Sequence, residues 1–240
     1  MNRFVKQFVL KVSRSFGYEI VPLRDMRERD FALHLRELLT RLEVDCVLDV
    51  GANVGQYHDF LRNRVQYEGK IVSFEPVSHH LGLLRERAQK DPDWHIEDCA
   101  LGAQEEQKEI NVMVSDQFSS FLEPDYQRVA EYNDMNVLKA KETVTVRRLD
   151  VVMPALQERL GFQRPYLKLD TQGFDIEVLR GATGILPAVR ALQTEASVLG
   201  IYKGMPSYMD TLRHLDGLGF DITGMYTVNR DAALRLVEFD

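Results

Sequence analysis

The chain has 240 residues, 45% of them hydrophobic and 28% charged, and a formal net charge of −7. This length and balance allow one or two domains with a full apolar core, and they exclude collagen-like, low-complexity and wholly disordered chains. A net negative charge also argues against a protein that coats phosphates, so no nucleic acid is expected as a partner.

The charge is unevenly spread. Residues 1–18 contain Arg3, Lys6, Lys11 and Arg14 and no acid, which leaves −11 on the other 222. Phe4, Val5, Phe8, Val9, Val12 and Phe16 recur at helical spacing between these cations. The spacing predicts an amphipathic helix over 3–16, within an N-terminal element and connector of residues 1–29. Such a helix either makes weak contact with an anionic membrane surface or docks, on its own domain or on a second copy in a homodimer. No run of 18 apolar residues exists, and no small-residue cleavage site follows the basic stretch. Neither a spanning helix nor a signal peptide is expected. The two cysteines, Cys46 and Cys99, are too few for a disulfide scaffold and lack metal-ligand spacing. A reducing, cytoplasmic compartment is the simplest expectation, with no metal site assigned.

Asp30 is placed to cap a helix carrying Phe31, Leu35, Leu38, Leu39 and Leu42 as one stripe, which opens a domain over residues 30–240. Val44 to Val50 is a short apolar run ended by a glycine turn and reads as a buried strand. A helix is expected over Gln56 to Arg64, a strand over Lys70 to Phe74, a helix from Ser78 to Gln89 and a strand over Trp94 to Glu97. Strands at Ile110 to Val114 and Thr143 to Leu149 bound a polar segment with Ser119, Ser120, Tyr126, Tyr132 and Asn133. An insertion there, at about 102–150, falls before the fourth core strand and is read as a lid over the carboxyl edge of the sheet. A strand at Tyr166 to Leu169, a helix at Phe174 to Leu186, a strand at Ala191 to Ala196 and a helix at Pro206 to Leu218 follow. Strands at Phe220 to Tyr226 and Leu234 to Phe239 close the chain. Alternating strands and helices mean parallel βαβ units, whereas the short last connection forces an antiparallel pair. The expected fold is α/β and Rossmann-like: a mostly parallel seven-stranded sheet, helices on both faces and a C-terminal antiparallel hairpin. That is the outline of a class I methyltransferase.

The central motif is VLDVGANVGQY, Val47 to Tyr57. Gly51 and Gly55 bracket a strand-to-helix turn and allow positive φ and close approach of a ligand. The frame lacks the close glycine pair of a dinucleotide fingerprint, which disfavours an oxidoreductase. It suits a nucleoside with a smaller zwitterionic tail, held by Asp49, Gly51, Asn53, Gly55, Gln56 and Tyr57. Asp49 is a charge in an apolar run and needs polar partners. Glu75, followed by Pro76, ends the second strand and is placed to accept from ribose hydroxyls. At the end of the third strand Asp98 is suited to an adenine amino group, with Cys99 and Ala100 lining the ring. Three polar strand tips in this order form a signature for S-adenosylmethionine.

With these segments the sequence resembles the FkbM family of S-adenosylmethionine-dependent methyltransferases from about Asp30 to Asp240. The resemblance is carried by VLDVGANVGQY, by FEPVSHHLGLL with EDCALG, by VTVRRLDVV with YLKLDTQGFDIEVLRGA, and by Leu192 to Tyr226. The most particular is the K-x-D-x-[EQ]-G-x-[DE]-x-x-V-L-x-G frame, in which Gln172 stands where many family members have glutamate. The resemblance implies O-methyl transfer to a hydroxyl of a sugar, glycan or natural product, with S-adenosyl-L-methionine as cofactor. A hydroxyl is a poor nucleophile and benefits from a base or a metal. Asp170 and Glu195, at the tips of the fourth and fifth core strands, are the catalytic candidates, and Asp170 also borders the cofactor. Ser119, Ser120, Gln172 and Tyr202 are candidates for acceptor binding. The alternative from another class is an S-adenosylmethionine-binding partner without catalysis in a biosynthetic complex.

Overall fold

The computed structural model describes residues 26–240 apart from 130 and 131, together with Val12 and Phe16. The helix expected over 3–16 therefore lies outside the described residues except at those two positions. Helix α1 spans Met26–Arg41 and β1 spans Cys46–Val50. Asp30 lies inside α1 and caps nothing, because the helix continues a full turn before it. Helix α2 (Gln56–Phe60) runs on as a π-helical turn, Leu61–Val65, which Gln66 ends in a left-handed conformation. Then come β2 (Lys70–Phe74), α3 (Ser78–Ala88), β3 (Trp94–Glu97) and the short β4 (Ala100–Leu101). The insertion contributes β5 (Glu106–Met113) and β6 (Leu138–Arg147), followed by α4 (Leu149–Leu160). Beyond these are β7 (Pro165–Leu169), α5 (Asp175–Arg180), β8 (Ala191–Thr194), β9 (Ala196–Ser197) and α6 (Tyr208–Gly217). The hairpin β10 (Thr227–Arg230) and β11 (Leu236–Phe239) ends the chain.

Five strands form one parallel sheet in the order β3-β2-β1-β7-β8. This is a doubly wound, Rossmann-like sheet whose direction of winding reverses between β1 and β7. Alternation along the strands feeds two cores. Cys46, Leu48 and Val50 face Leu149, Met153 and Leu156 of α4 and Val178 and Leu179 of α5. Val47, Ile71 and Tyr166 face Ala32, Leu35 and Leu39 of α1, with Leu61 and Leu84. The expected layers are therefore present, with one helical layer on each face.

The edges differ in detail from the expected single seven-stranded sheet. The strand expected over Ala191 to Ala196 is interrupted at Glu195. The closing hairpin pairs antiparallel with β9, just beyond that break, in a separate three-stranded group ordered β10-β11-β9. The strand expected at Phe220 to Tyr226 forms instead at Thr227–Arg230. Its register is set by Asp231, whose Oδ1 accepts from the backbone N–H groups of Ala233 (3.0 Å) and Arg235 (2.8 Å). The ladder then reaches back only as far as Tyr226, which exchanges backbone hydrogen bonds with Asp240. Within the insertion, β5 and β6 pair antiparallel over their length, and β4 runs parallel to β6.

One register row carries polar side chains across four strands. Ser73 of β2 is paired with Asp49 of β1, Asp49 with Lys168 of β7, and Lys168 with Gln193 of β8. Each is the penultimate residue of its strand, directly below the carboxyl edge. Asp49 has no exposed surface, and its Oδ1 lies 3.1 Å from Lys168 Nζ, while Ser73 Oγ donates to Oδ2 at 3.2 Å. Removing one partner of such a pair strands a buried charge, at a cost of about 3–5 kcal/mol. Lys168→Met should therefore lose about that much stability in urea unfolding. The double variant with Asp49→Leu should recover most of the loss, and a strictly additive double variant would show that the two charges do not interact.

Candidate active site

The carboxyl edge of the sheet opens into a cavity of about 1000 Å³, at the large end of the range for small-molecule sites. Its floor is the point where β1 and β7 diverge. Gly51 has φ +80°, and a Cβ there would stand 2.0 Å from the Asp170 carbonyl oxygen, so the two strand ends meet at a distance only glycine permits. Both Gly51 and Ala52 donate their N–H to Phe74 O at 3.1 Å, which pins the turn to the end of β2. Gly55 (φ +89°) serves packing: a Cβ would come within 2.7 Å of the Trp94 ring.

On one side of the cavity Glu75 is buried and held by the backbone. Its Oε2 accepts from Asn53 N (2.8 Å) and its Oε1 from Val77 N (2.9 Å). Gly51, Asn53, Gln56, Tyr57, Glu75, Pro76 and Ala100 all line this side. Asp49 lies beneath it in the polar row. Asp98 and Cys99 stand outside it, because the chain turns away between β3 and β4. Asp98 has a 65% exposed side chain and pairs with Arg85 at 2.7 Å, and Cys99 is packed in the core with its thiol pushed up to about 12 by burial.

The opposite side gathers carboxylates. Gln172 Nε2 donates to Asp170 Oδ1 at 2.9 Å and to Glu195 Oε2 at 3.1 Å. Its Oε1 accepts from Tyr202 OH (3.0 Å), and its backbone carbonyl accepts from Ser120 Oγ (2.8 Å). Lys168 Nζ lies 3.4 Å from Asp170 Oδ2. Gln172 thus places a donor between two acids, where it offsets their repulsion as a cation would. Tyr202 is buried behind Gln172 and acts through it, and its hydroxyl also faces Phe118 O at 2.7 Å. Ser119 and Ser120 line the cavity, whereas the Tyr126 hydroxyl is turned to the Asn136 carbonyl. The loop is braced by Asp175, whose Oδ1 accepts from Thr171 N (2.8 Å) and whose Oδ2 accepts from Thr194 Oγ1 (2.6 Å). Burial raises the Asp175 pKa against those bonds.

Two acids beyond the expected set belong to this wall. Glu238 on β11 and Asp240 just beyond its end both line the cavity. Their alternation with Val237 and Phe239 has the same pattern as a solvent-facing strand edge, so nothing in the sequence separates the two cases. His80, Asp116, Phe118 and Gln193 also line the cavity without a spacing signal of their own. Burial, then the charges of Asp170, Glu238 and Asp240, push the Glu195 carboxyl well above its ordinary value. Burial raises Glu238 to about 7 and Asp240 to about 6, with Asp170 adding to both.

These raised values have a consequence for stability. A carboxyl whose folded pKa exceeds its unfolded value stabilises the fold fully below the unfolded value, and that contribution is lost as pH rises through the folded one. The cluster therefore favours the fold at about pH 4 to 5 and opposes it increasingly up to about pH 7. Asn229 Nδ2 donates to Glu238 Oε2 at 3.2 Å, while its buried Oδ1 lacks a donor. Glu238→Gln removes the charge and can supply that donor. It should gain about 1–3 kcal/mol in stability at about pH 8, with little change near pH 5. Thermal unfolding at the two pH values checks this, and an unchanged pH dependence would count against it.

A family model, the methyltransferase FkbM domain, matches residues 49–222. Among solved structures, methyltransferase FkbM from Methylobacillus flagellatus KT is 13% identical with a TM-score of 0.48, over 82% of this chain and 43% of that one. The chain thus spans less than half the length of that protein. A precorrin-6y C5,15-methyltransferase from Geobacter metallireducens GS-15 is 11% identical with a TM-score of 0.40, over 86% of this chain and 82% of that one. A SAM-dependent methyltransferase from Aquifex aeolicus is 12% identical with a TM-score of 0.38, over 92% and 96% of the two chains. No curated protein matches the sequence. The family model covers well over half of the chain, including the glycine turn, Glu75, Asp170, Gln172 and Glu195. The chain belongs to the FkbM methyltransferase family.

Proposed function

We propose that the chain is an S-adenosylmethionine-dependent O-methyltransferase whose acceptor is a hydroxyl of a sugar, glycan or natural product. The observation that carries the reading is the carboxylate pair Asp170 and Glu195, bridged by Gln172 across the cavity from Glu75. The residues present fit the cofactor. The Gly51 turn has no room for a side chain, Glu75 is fixed for ribose hydroxyls, and Ala100, Leu101 and Ile110 give an apolar wall for a base. When bound, S-adenosylmethionine supplies a methyl group already activated on a sulfonium. What is asked of the protein is placement of the acceptor and removal of its proton.

The pair of acids serves that second task. Burial and repulsion raise Glu195, which makes it a stronger base than an ordinary carboxylate once it is ionised. Gln172 holds both carboxyl groups in a fixed orientation, and Lys168 supports Asp170 from below. Glu195 takes the acceptor's proton, and Asp170, joined to it through Gln172, orients the acceptor beside it. Excess negative charge on this wall also favours a neutral polyol over a phosphorylated acceptor.

Two experiments test the reading. Glu75→Ala should weaken S-adenosylmethionine binding by about 1.5–3 kcal/mol in calorimetry, and unchanged affinity would remove the cofactor assignment. Asp170→Asn and Glu195→Gln should each lose about 10²–10⁴ in kcat on a responsive hydroxylated acceptor, a far larger effect than on cofactor affinity. For the unaltered chain the rate should rise with pH as the raised carboxyls ionise. Normal turnover by both amide variants would place the base elsewhere.

A further inference from the structure

A buried imidazole stands between the two sides of the cavity. His80 lies in the first turn of α3, is 2% exposed and lines the cavity. Its Nδ1 is 3.3 Å from Glu75 Oε1. Its Nε2 faces Asp116 Oδ2 at 3.6 Å, beyond hydrogen-bond reach, and has no other partner. Both Glu75 oxygens accept from backbone N–H groups, and a carboxylate has no proton to give, so with Glu75 ionised the ring donates in the Nδ1 contact. A neutral ring with its proton on Nδ1 would turn a bare lone pair toward the Asp116 carboxylate. An imidazolium offers an N–H to each acid.

Asp116 is not an isolated partner. It begins the 3₁₀ turn Asp116–Phe118, whose last carbonyl lies 2.7 Å from Tyr202 OH. Two residues later Ser120 Oγ donates to the Gln172 carbonyl. We propose that His80 is a positioning residue which, as an imidazolium, ties Glu75 to the Asp116 segment and so couples cofactor binding to the order of the acceptor wall. The inference rests on the reading of Glu75 as a cofactor ligand. Burial works against the charged ring, but hydrogen bonding and charge from Glu75 and Asp116 outweigh it and raise the His80 pKa above the ordinary histidine value. The other ionisable groups at this helix start are His79, with its ring 6.0 Å away, and Glu142 of β6, which accepts from Ser78 N. The tie is complete below the raised pKa and is lost as pH rises through it.

The test uses the full chain and two readouts. NMR titration of the six histidine rings, with His80→Gln to assign the signal, should show His80 titrating above the ordinary value. Asp116→Asn should bring that titration down. Calorimetry with S-adenosylmethionine should show affinity falling about tenfold across the same pH range, a coupling of ordinary size. The fall should move to lower pH in Asp116→Asn and be absent in His80→Gln, which binds weakly throughout. A His80 ring that titrates at or below the ordinary value, or the same pH dependence of affinity in all three proteins, would overturn the proposal. Should His80→Gln fail to fold, an unshifted midpoint in Asp116→Asn overturns it equally. A His80 titration as expected with no S-adenosylmethionine binding by the unaltered chain would instead defeat the cofactor reading and leave the Glu75–His80–Asp116 tie standing.

Discussion

The site depends on a charge pair placed one residue below the edge of the sheet. Asp49 and Lys168 face each other across the β1–β7 junction, where winding reverses and where open α/β sheets bind ligands. Desolvating two such ions costs several kcal/mol each, and apolar residues of the same size could fill the place with no such penalty. What the pair brings is direction. Lys168 is held from below by Asp49 and from above by Asp170, which lies 3.4 Å from the same ammonium. Trp94 Nε1 fixes Ser73 Oγ at 2.9 Å, and Ser73 fixes Asp49. On the far side Gln193 Oε1 accepts from Tyr57 OH at 2.7 Å and from Tyr166 OH at 3.2 Å. These two groups of contacts, joined where Lys168 Nζ lies 5.1 Å from the centre of the Tyr57 ring, run across the sheet immediately beneath the cavity. They orient the groups that form the floor.

The acidic wall above works against stability. Asp170, Glu195, Glu238 and Asp240 face the cavity with Lys168 as their near cation. Gln172 reduces the repulsion by donating to two of them, and Ser197 Oγ does the same for Glu238 at 3.1 Å. Burial and mutual repulsion make Glu195, Glu238 and Asp240 hold protons more tightly, and ionising them together strains the wall. Active sites commonly keep such tension where the surrounding fold can absorb it. Here the two cores on either face of the sheet provide that reserve.

Much of this was legible in the sequence, for a definite reason. Apolar runs such as Val44 to Val50 and Lys70 to Phe74 can only be buried strands when both faces are covered, and strand tips in a parallel sheet converge on one edge. Gly51, Glu75, Asp170 and Glu195 follow from that rule alone. The misplacements share another cause. Asp30 has a side chain suited to capping, yet the polar turn before it continues the helix. The closing strand is shifted because the Asp231 side chain sets the hairpin register, and strand composition cannot show this. Asp98 fits the tip rule but not the site, because β3 is the edge strand and the chain turns away after it. Glu238, Asp240 and His80 were invisible for the opposite reason. A polar residue facing a cavity and one facing solvent have the same sequence pattern.

The insertion is less like a hinged flap than its place in the chain suggests. Phe118 and Leu122 pack against a small core of Ile201, Tyr202 and Val237, with Val129 and Met205. Gly173, in a left-handed conformation, has no room for a Cβ without closing to 3.0 Å of Leu122 and 3.1 Å of Met205. Gln172 beside it is also left-handed, at φ 51°, a conformation that costs a non-glycine residue on the order of 1 kcal/mol. Such strain persists only where neighbours over-determine it. Here they do: Ser120 holds the Gln172 carbonyl, Asp175 holds Thr171, and Met205 and Leu122 fill the space on either side. The insertion, the β7–α5 loop and the segment after β9 therefore behave as one packed unit. Any movement of the Asp116–Phe118 turn toward His80 must be small, because a larger one would break the Tyr202 and Ser120 contacts that keep the carboxylate pair in place.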